Sequence, residues 1–257
     1  MRIVSLACSN TEIVCALGCG DLLVGVDDHS DHPDDALAGL PRVGPDLAPD
    51  VEAVRALRPD LVLATLTVPG HEAVVARLEA AGLPYVAPAP ESLEDVYGDV
   101  MEVAALLDVA ERGEALVDRM RAALEPAPAA GGGPRILVQW WPKPVIAPGR
   151  RSWTTDVIVA AGGRNPLGLE PVKSRPLSDE EVLDLAPDAI VLSWCGVHPS
   201  KYRPDVIYRN PLWQPLSALR LKRVYAIPEA FLGRPGPRLV DGVRALREVV
   251  GDVAGDG

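Results

Sequence analysis

Short runs of β-branched and aliphatic residues alternate along this chain with stretches whose apolar positions recur at helical spacing. That alternation predicts βα units around mainly parallel sheets. In the first half it places strands near 2–6, 23–26, 61–64 and 84–87, and helices near 10–18, 50–57, 70–81 and 92–107. In the second half strands fall near 135–139, 145–147, 189–193 and 224–227, with helices near 153–161, 178–185, 204–209 and 237–250. Asp50 is a simple N-cap, whereas Ser178 with Glu181 forms a capping box. Asp108 caps a further helix over about 109–125 that stops before Pro126. At roughly 1.5 Å per residue this helix spans about 25 Å, enough to bridge two lobes. The Pro-, Ala- and Gly-rich residues 126–134 read as a surface linker.

The two halves also repeat each other. Thr11-Glu12-Ile13-Val14-Cys15-Ala16-Leu17-Gly18 is matched in chemistry by Thr155-Asp156-Val157-Ile158-Val159-Ala160-Ala161-Gly162. Likewise Arg58-Pro59-Asp60-Leu61-Val62-Leu63 is echoed by Ala186-Pro187-Asp188-Ala189-Ile190-Val191. A repeat this long exceeds any solenoid unit and predicts two similar α/β lobes facing each other across a cleft. The expected boundaries are 1–107 for the first lobe, 108–126 for a rigid interlobe helix and 127–257 for the second lobe.

Composition narrows the functional classes. Apolar residues make up 48% of the 257 and charged residues 24%, which suits a folded chain without a membrane span. A net charge of −11, with no clustered Lys and Arg, argues against a nucleic-acid surface. Cys8, Cys15, Cys19 and Cys195 have neither the spacing of a zinc site nor that of a disulfide framework, and Cys15 falls on the apolar face of the first helix. Met1-Arg2-Ile3-Val4-Ser5-Leu6 runs directly into a strand with no charged and apolar leader before it. For the chain as it stands this predicts a cytoplasmic protein; a start further upstream would make it extracytoplasmic.

In open α/β sheets ligands bind beyond the carboxyl ends of the strands. In the first half those ends carry Cys8, Ser9 and Asn10, then His29, then Leu66. In the second they carry Trp140 and Trp141, Trp194, and Phe231. All five tryptophans and the single phenylalanine lie beyond residue 139, and Trp153 stands just ahead of a helix where it either lines the cleft or staples that helix. Rigid aromatics at a cleft mouth suit a bulky, partly apolar ligand with a flat face. Trp213 reads as a core residue under a turn, and His71 and His198 as surface residues. His29 and His32, in an acidic loop, have the spacing to share a metal, although lining the cleft is the favoured role for His29. A two-domain metalloenzyme using Cys8, His29 and Cys195 is the enzymatic alternative, but no acid–base pair accompanies those residues.

Ser5-Leu6-Ala7-Cys8-Ser9-Asn10-Thr11-Glu12, Ser30-Asp31-His32-Pro33, Leu57-Arg58-Pro59-Asp60-Leu61-Val62, Ala161-Gly162-Gly163-Arg164-Asn165 and Arg234-Pro235-Gly236-Pro237-Arg238 occur in this order. The chain resembles, over nearly its whole length, the cobalamin-binding proteins that serve ABC importers. The resemblance implies a receptor that binds a corrinoid such as cobalamin without transforming it, holds no cofactor of its own, acts as a monomer and meets an importer permease. It implies that Phe231 meets the corrin and that one acid on each lobe docks onto the permease. Glu72 matches the first such acid and Asp205 is the candidate for the second. Where the family pattern has tyrosines, this chain has His29 and His32. Siderophore and haem receptors share the same frame, and for such ligands Arg150, Arg151 and Arg164 gain weight.

Overall fold

The computed structural model describes residues 1–126 and 132–255; most of the linker expected over 126–134 lies outside the described residues. The chain divides into two compact units, one comprising Met1–Pro90 with Glu94–Arg119 and the other Glu91–Leu93 with Met120–Gly257.

The first unit runs β1 (Ile3–Ser5), α1 (Cys8–Ala16), β2 (Leu23–Val26), α2 (Asp34–Leu37), α3 (Val51–Ala56), β3 (Leu61–Leu63), α4 (His71–Ala80), β4 (Tyr85–Val86) and α5 (Leu93–Leu106), followed by α6 (Ala110–Ala123). Its four strands form one sheet in the order β2-β1-β3-β4, every pairing parallel. Val4, Val62 and Leu6 fill the core beneath Val54, Val74 and Leu78 of α3 and α4. α5 and α6 approach closely because residue 113 is glycine: a Cβ there would stand 2.5 Å from that of Ala104. The division between units falls inside α6, between Arg119 and Met120, rather than at either end of that helix.

The second unit continues with β5 (Ile136–Gln139), β6 (Trp141–Pro142), β7 (Val145–Pro148), α7 (Trp153–Ala160), β8 (Ser174–Leu177), α8 (Asp179–Leu185), β9 (Ala189–Leu192), α9 (Pro204–Tyr208), α10 (Ser217–Arg220), β10 (Val224–Ala226), α11 (Glu229–Leu232) and α12 (Leu239–Gly255). Strands β10-β9-β5 form a parallel sheet. A second sheet, β6-β7-β8, is antiparallel and departs from the parallel pattern expected along the sequence. Its outer strands hide well: β6 has two residues, and β8 carries Arg175 and Pro176, a composition confined to sheet edges. Both sheets share one core, in which Leu137, Ile190 and Leu192 meet Val145, Ala147 and Leu177.

The sequence repeat is a repeat of backbone devices. Gly18 and Gly162 both adopt left-handed conformations, at φ 71° and 89°, and end α1 and α7. In each copy the next residue's N–H reaches back to close the helix, Cys19 to the Val14 carbonyl and Gly163 to the Ile158 carbonyl, both at 3.0 Å. The Pro-Asp motif is equally well matched. Asp60 accepts the backbone N–H of Arg2 at 2.7 Å, and Asp188 accepts that of Arg135 at 2.8 Å. The N–H groups of Asp60 and Asp188 return to the carbonyls of the same two arginines, each at 2.8 Å. Each carboxylate thereby seats its own strand beside the residue just before β1 or β5. The residue before each proline, Arg58 or Ala186, is left-handed, at φ 47° or 42°. For side chains larger than glycine this costs about 1 kcal/mol, which the paired bonds offset. The capping box at α8 is present as expected, with Ser178 N–H to Glu181 at 2.8 Å and Glu181 N–H to the Ser178 hydroxyl at 3.2 Å.

Asp188 also takes two bonds from the Arg135 guanidinium, at 3.2 and 3.3 Å. Burial alone would raise its pKa, but the Arg135 side chain and N–H hold it below the usual carboxylate range. A depressed folded pKa stabilises the fold above the unfolded value and is lost as pH falls through the folded one. Asp188→Ala should therefore cost about 1–3 kcal/mol at neutral pH. In urea titrations the gap from wild type should shrink as acid protonates Asp188; a gap that is constant with pH would mean that the carboxylate's charge contributes nothing.

Candidate functional site

At the carboxyl end of the first unit's sheet, β1 and β2 deliver a buried polar network. Thr11 donates to the Ser5 hydroxyl at 2.8 Å and lies 2.8 Å from that of Ser30, which in turn donates to Asp27. Asp27 is fully buried, accepts the His29 N–H at 3.0 Å and lies 3.9 Å from the Cys8 sulfur. Burial raises its pKa, against the lowering effect of the Ser30 and His29 bonds. Cys8 and His29 are thus brought together around Asp27. Ser9 and Asn10 are buried, and Asn10 spends its amide on the Ala64 carbonyl at 2.7 Å, pinning α1 to the end of β3. Leu66 is half-buried where β3 and β4 end, its N–H bonded to the Pro88 carbonyl at 2.8 Å.

His29 is half-exposed and its Nε2 lies 3.9 Å from Asp46. The other oxygen of Asp46 accepts from Nε2 of His71 at 3.3 Å, while Nδ1 of His71 accepts the Val68 N–H, also at 3.3 Å. His71 is therefore buried, contrary to the surface position expected from Pro69-Gly70 beside it. Its partner is remote in sequence, so no local pattern announces the burial. The His71 bond is the leading cause that holds the Asp46 pKa low. His32 and His198 are exposed, and Cys15 is half-buried rather than fully in the core. No group of three His, Cys, Asp or Glu among the described residues is arranged to hold a metal ion.

The second unit's strand ends are aromatic. Trp140 follows β5 and packs against Trp153 with ring centroids 6.4 Å apart. Trp153 is buried and donates its indole N–H to the Leu232 carbonyl at 2.9 Å, and Thr154 adds its hydroxyl to the same oxygen at 3.0 Å. The start of α7, capped by Ser152, is thereby tied to α11 and holds half-buried Phe231, which neighbours Leu232. Arg238 lies over the Phe231 ring, 4.8 Å from its centroid. Gly242 lets α12 pass beneath, since a Cβ there would meet the Phe231 carbonyl at 2.2 Å. Trp194 turns inward, packing on Tyr202 at 5.4 Å and donating to Gln139 at 3.0 Å. Trp141 is exposed on β6, and Trp213 is in the core.

Trp140 and Phe231 are therefore the half-buried aromatics of this face, with Trp141 more exposed and Trp153 and Trp194 behind as internal supports. The indole N–H of Trp140 and the hydroxyl of Ser193 are buried and have no hydrogen-bond partner among the described residues. They occupy adjacent register positions just past the pairing of Gln139 with Leu192.

The description periplasmic binding protein matches residues 3–231. The chain belongs to that family. It is 29% identical to the vitamin B12-binding protein of Vibrio cholerae, covering 95% of this chain and 87% of the relative. It is 28% identical to the uncharacterized ABC transporter substrate-binding lipoprotein YvrC of Bacillus subtilis, covering 97% of this chain and 79% of that protein. Among solved structures, the periplasmic heme-binding protein RhuT from Roseiflexus sp. RS-1 in apo form superposes with a TM-score of 0.82 at 29% identity, covering 98% of both chains. The two-lobed α/β architecture expected from the sequence is that of this family, and no described helix is long and apolar enough to cross a membrane.

The buried Asp27 offers a test of the polar network. Because its folded pKa is raised, its contribution is most favourable below the unfolded value of about 3.9 and declines as pH rises toward the folded value. Asp27→Asn should remove that decline, so urea midpoints measured at about pH 4 and about pH 7 should differ less in the variant than in wild type. Equal differences in both proteins would place the titration elsewhere.

Proposed function

We propose that this chain is the receptor of an ABC importer for a corrinoid, bound without chemical change by its strand-end loops. The observation that carries the reading is the aromatic face of the second unit. Trp140 is braced by Trp153, and Phe231 is held through Leu232, giving flat apolar surface next to two buried polar groups that lack hydrogen-bond partners among the described residues. A corrin ring offers a broad apolar face rimmed by neutral amides, so aromatic contact supplies the affinity and hydrogen bonds set the orientation. Cys8, His29 and Leu66 are the residues we assign to the ligand from the first unit. The likeness to a vitamin B12-binding protein over nearly the whole chain supports this choice. On this reading the protein works outside the cytoplasm and as a monomer, which cell fractionation and light scattering would check.

Haem is the second reading, favoured by the likeness to a heme-binding protein at a TM-score of 0.82. Its propionates call for cations, and Arg238 over Phe231 is one such group at the strand ends. Arg164 lines a cavity beside Arg135, at the amino end of β5, which removes it from this argument, whereas Arg150 stands two residues before the Ser152 cap of α7 and stays in it.

Cyanocobalamin should bind one per chain and quench the tryptophan emission; a saturable haemin spectrum with no response to cyanocobalamin would promote the second reading. Trp140→Ala and Phe231→Ala should each weaken binding by about 1–3 kcal/mol, the loss expected for a buried aromatic contact. Wild-type affinity in the double variant would move the site away from this face.

We assign partner docking to Glu72 and Asp205, both exposed in the first turns of α4 and α9. Glu72 accepts the Gly70 N–H at 3.0 Å, and Asp205 pairs with Arg209 at 3.7 Å. Glu72→Ala should leave ligand affinity within about twofold, because an exposed acid contributes little to a distant pocket. Uptake by cells should fall; a large loss of affinity in the purified variant would put Glu72 in the ligand site instead.

A further inference from the structure

The second unit has a cavity of about 540 Å³ alongside α7, lined from Arg150 and Thr155 near the start of that helix to Arg164 past its end. Arg135 opens β5 and the end of α8 leads into β9, so one end of the cavity lies by the amino ends of those strands. Its floor is closed to hydrogen bonding. Asn165 donates to the Thr155 hydroxyl at 2.7 Å and to the Pro148 carbonyl at 2.9 Å, and Thr155 donates to the Gly149 carbonyl at 2.6 Å. Specificity must come from the walls.

One wall is cationic. Arg135 is neutralised by Asp188, and Arg150 is held only by a 3.5 Å contact with Asp156 that is open to solvent. Arg164 donates Nε to the Gly133 carbonyl at 3.0 Å, which fixes the plane of its guanidinium, and its charge helps to lower the Asp188 pKa without a direct bond to that carboxylate among the described residues. The other wall is apolar. Val159 of α7 is 50% exposed and Leu169 is 96% exposed, and both line this cavity beside Leu185. A leucine standing almost wholly in water forgoes the burial that drives apolar side chains inward, and a ligand carbon chain laid against it would restore that burial. Asp184 also lines the cavity, and its negative charge opposes a dianion more strongly than a monoanion.

We propose that this cavity binds a monocarboxylate with an apolar tail, the carboxylate on Arg164 and Arg150 and the tail against Val159, Leu169 and Leu185. The fork of donors on each guanidinium matches a carboxylate, and the volume suits a small molecule. The proposal does not depend on the ligand assigned to the aromatic face.

Titration calorimetry with octanoate on the whole chain tests it. Octanoate should bind saturably at one per chain, Arg164→Gln should weaken binding at least about tenfold, and Leu169→Asn should weaken it measurably. Arg220→Gln, an exposed change on α10, should leave affinity unaltered, and circular dichroism melts should show that every variant is folded. No saturable heat at millimolar octanoate overturns the proposal, as does a folded Arg164→Gln variant of wild-type affinity. Inorganic phosphate binding as well as octanoate also overturns it, because the apolar wall would then have no part.

Discussion

A carboxylate placed immediately after a proline organises both parallel sheets. In each copy the chain leaves a helix, passes through a left-handed residue that no glycine eases, turns at the proline and hands the next strand to its neighbour through paired bonds with Arg2 or Arg135. Such bonds to a charged acceptor are stronger than neutral ones. They set where β3 and β9 begin, and hence where those strands end and which residues the following loops present. Every candidate ligand residue on those loops inherits its position from that start.

The same comparison explains which parts of the fold were legible. Thr11–Gly18 and Thr155–Gly162 repeat because the same helix, with the same left-handed stop, is needed in both units, and local chemistry encodes such stops. Ser178 and Glu181 are three residues apart and announce their own helix. Of the β6-β7-β8 sheet only the central strand was legible, because β6 has two residues and β8, which carries a proline, pairs with β7 across an intervening helix. The burial of His71 was hidden for a related reason: it depends on Asp46, a residue on another loop.

The sequence located aromatics beyond the strands but not which of them turn inward. An aromatic residue after a strand has the same local signature whether it forms a wall or a core, and the decision rests on remote acceptors. The Leu232 carbonyl draws Trp153 inward and Gln139 draws Trp194, while Trp140 finds no acceptor and remains at the half-buried edge. The polar network of the first unit escaped notice because Thr11, Ser30 and Asp27 are unremarkable singly. They become a unit only when β1 and β2 lie side by side, with Asp27 desolvated between them.

The Leu232 carbonyl accepts from two side chains of consecutive residues, the Trp153 indole and the Thr154 hydroxyl. Moving α11 away from α7 would break both bonds at once and strand a buried indole N–H. The segment that carries Phe231 is consequently ordered when the chain folds rather than when it meets a ligand. Immobilising a mobile side chain on association costs roughly 0.5–1.5 kcal/mol. A wall already held in place avoids that entropy loss in any contact made through Phe231.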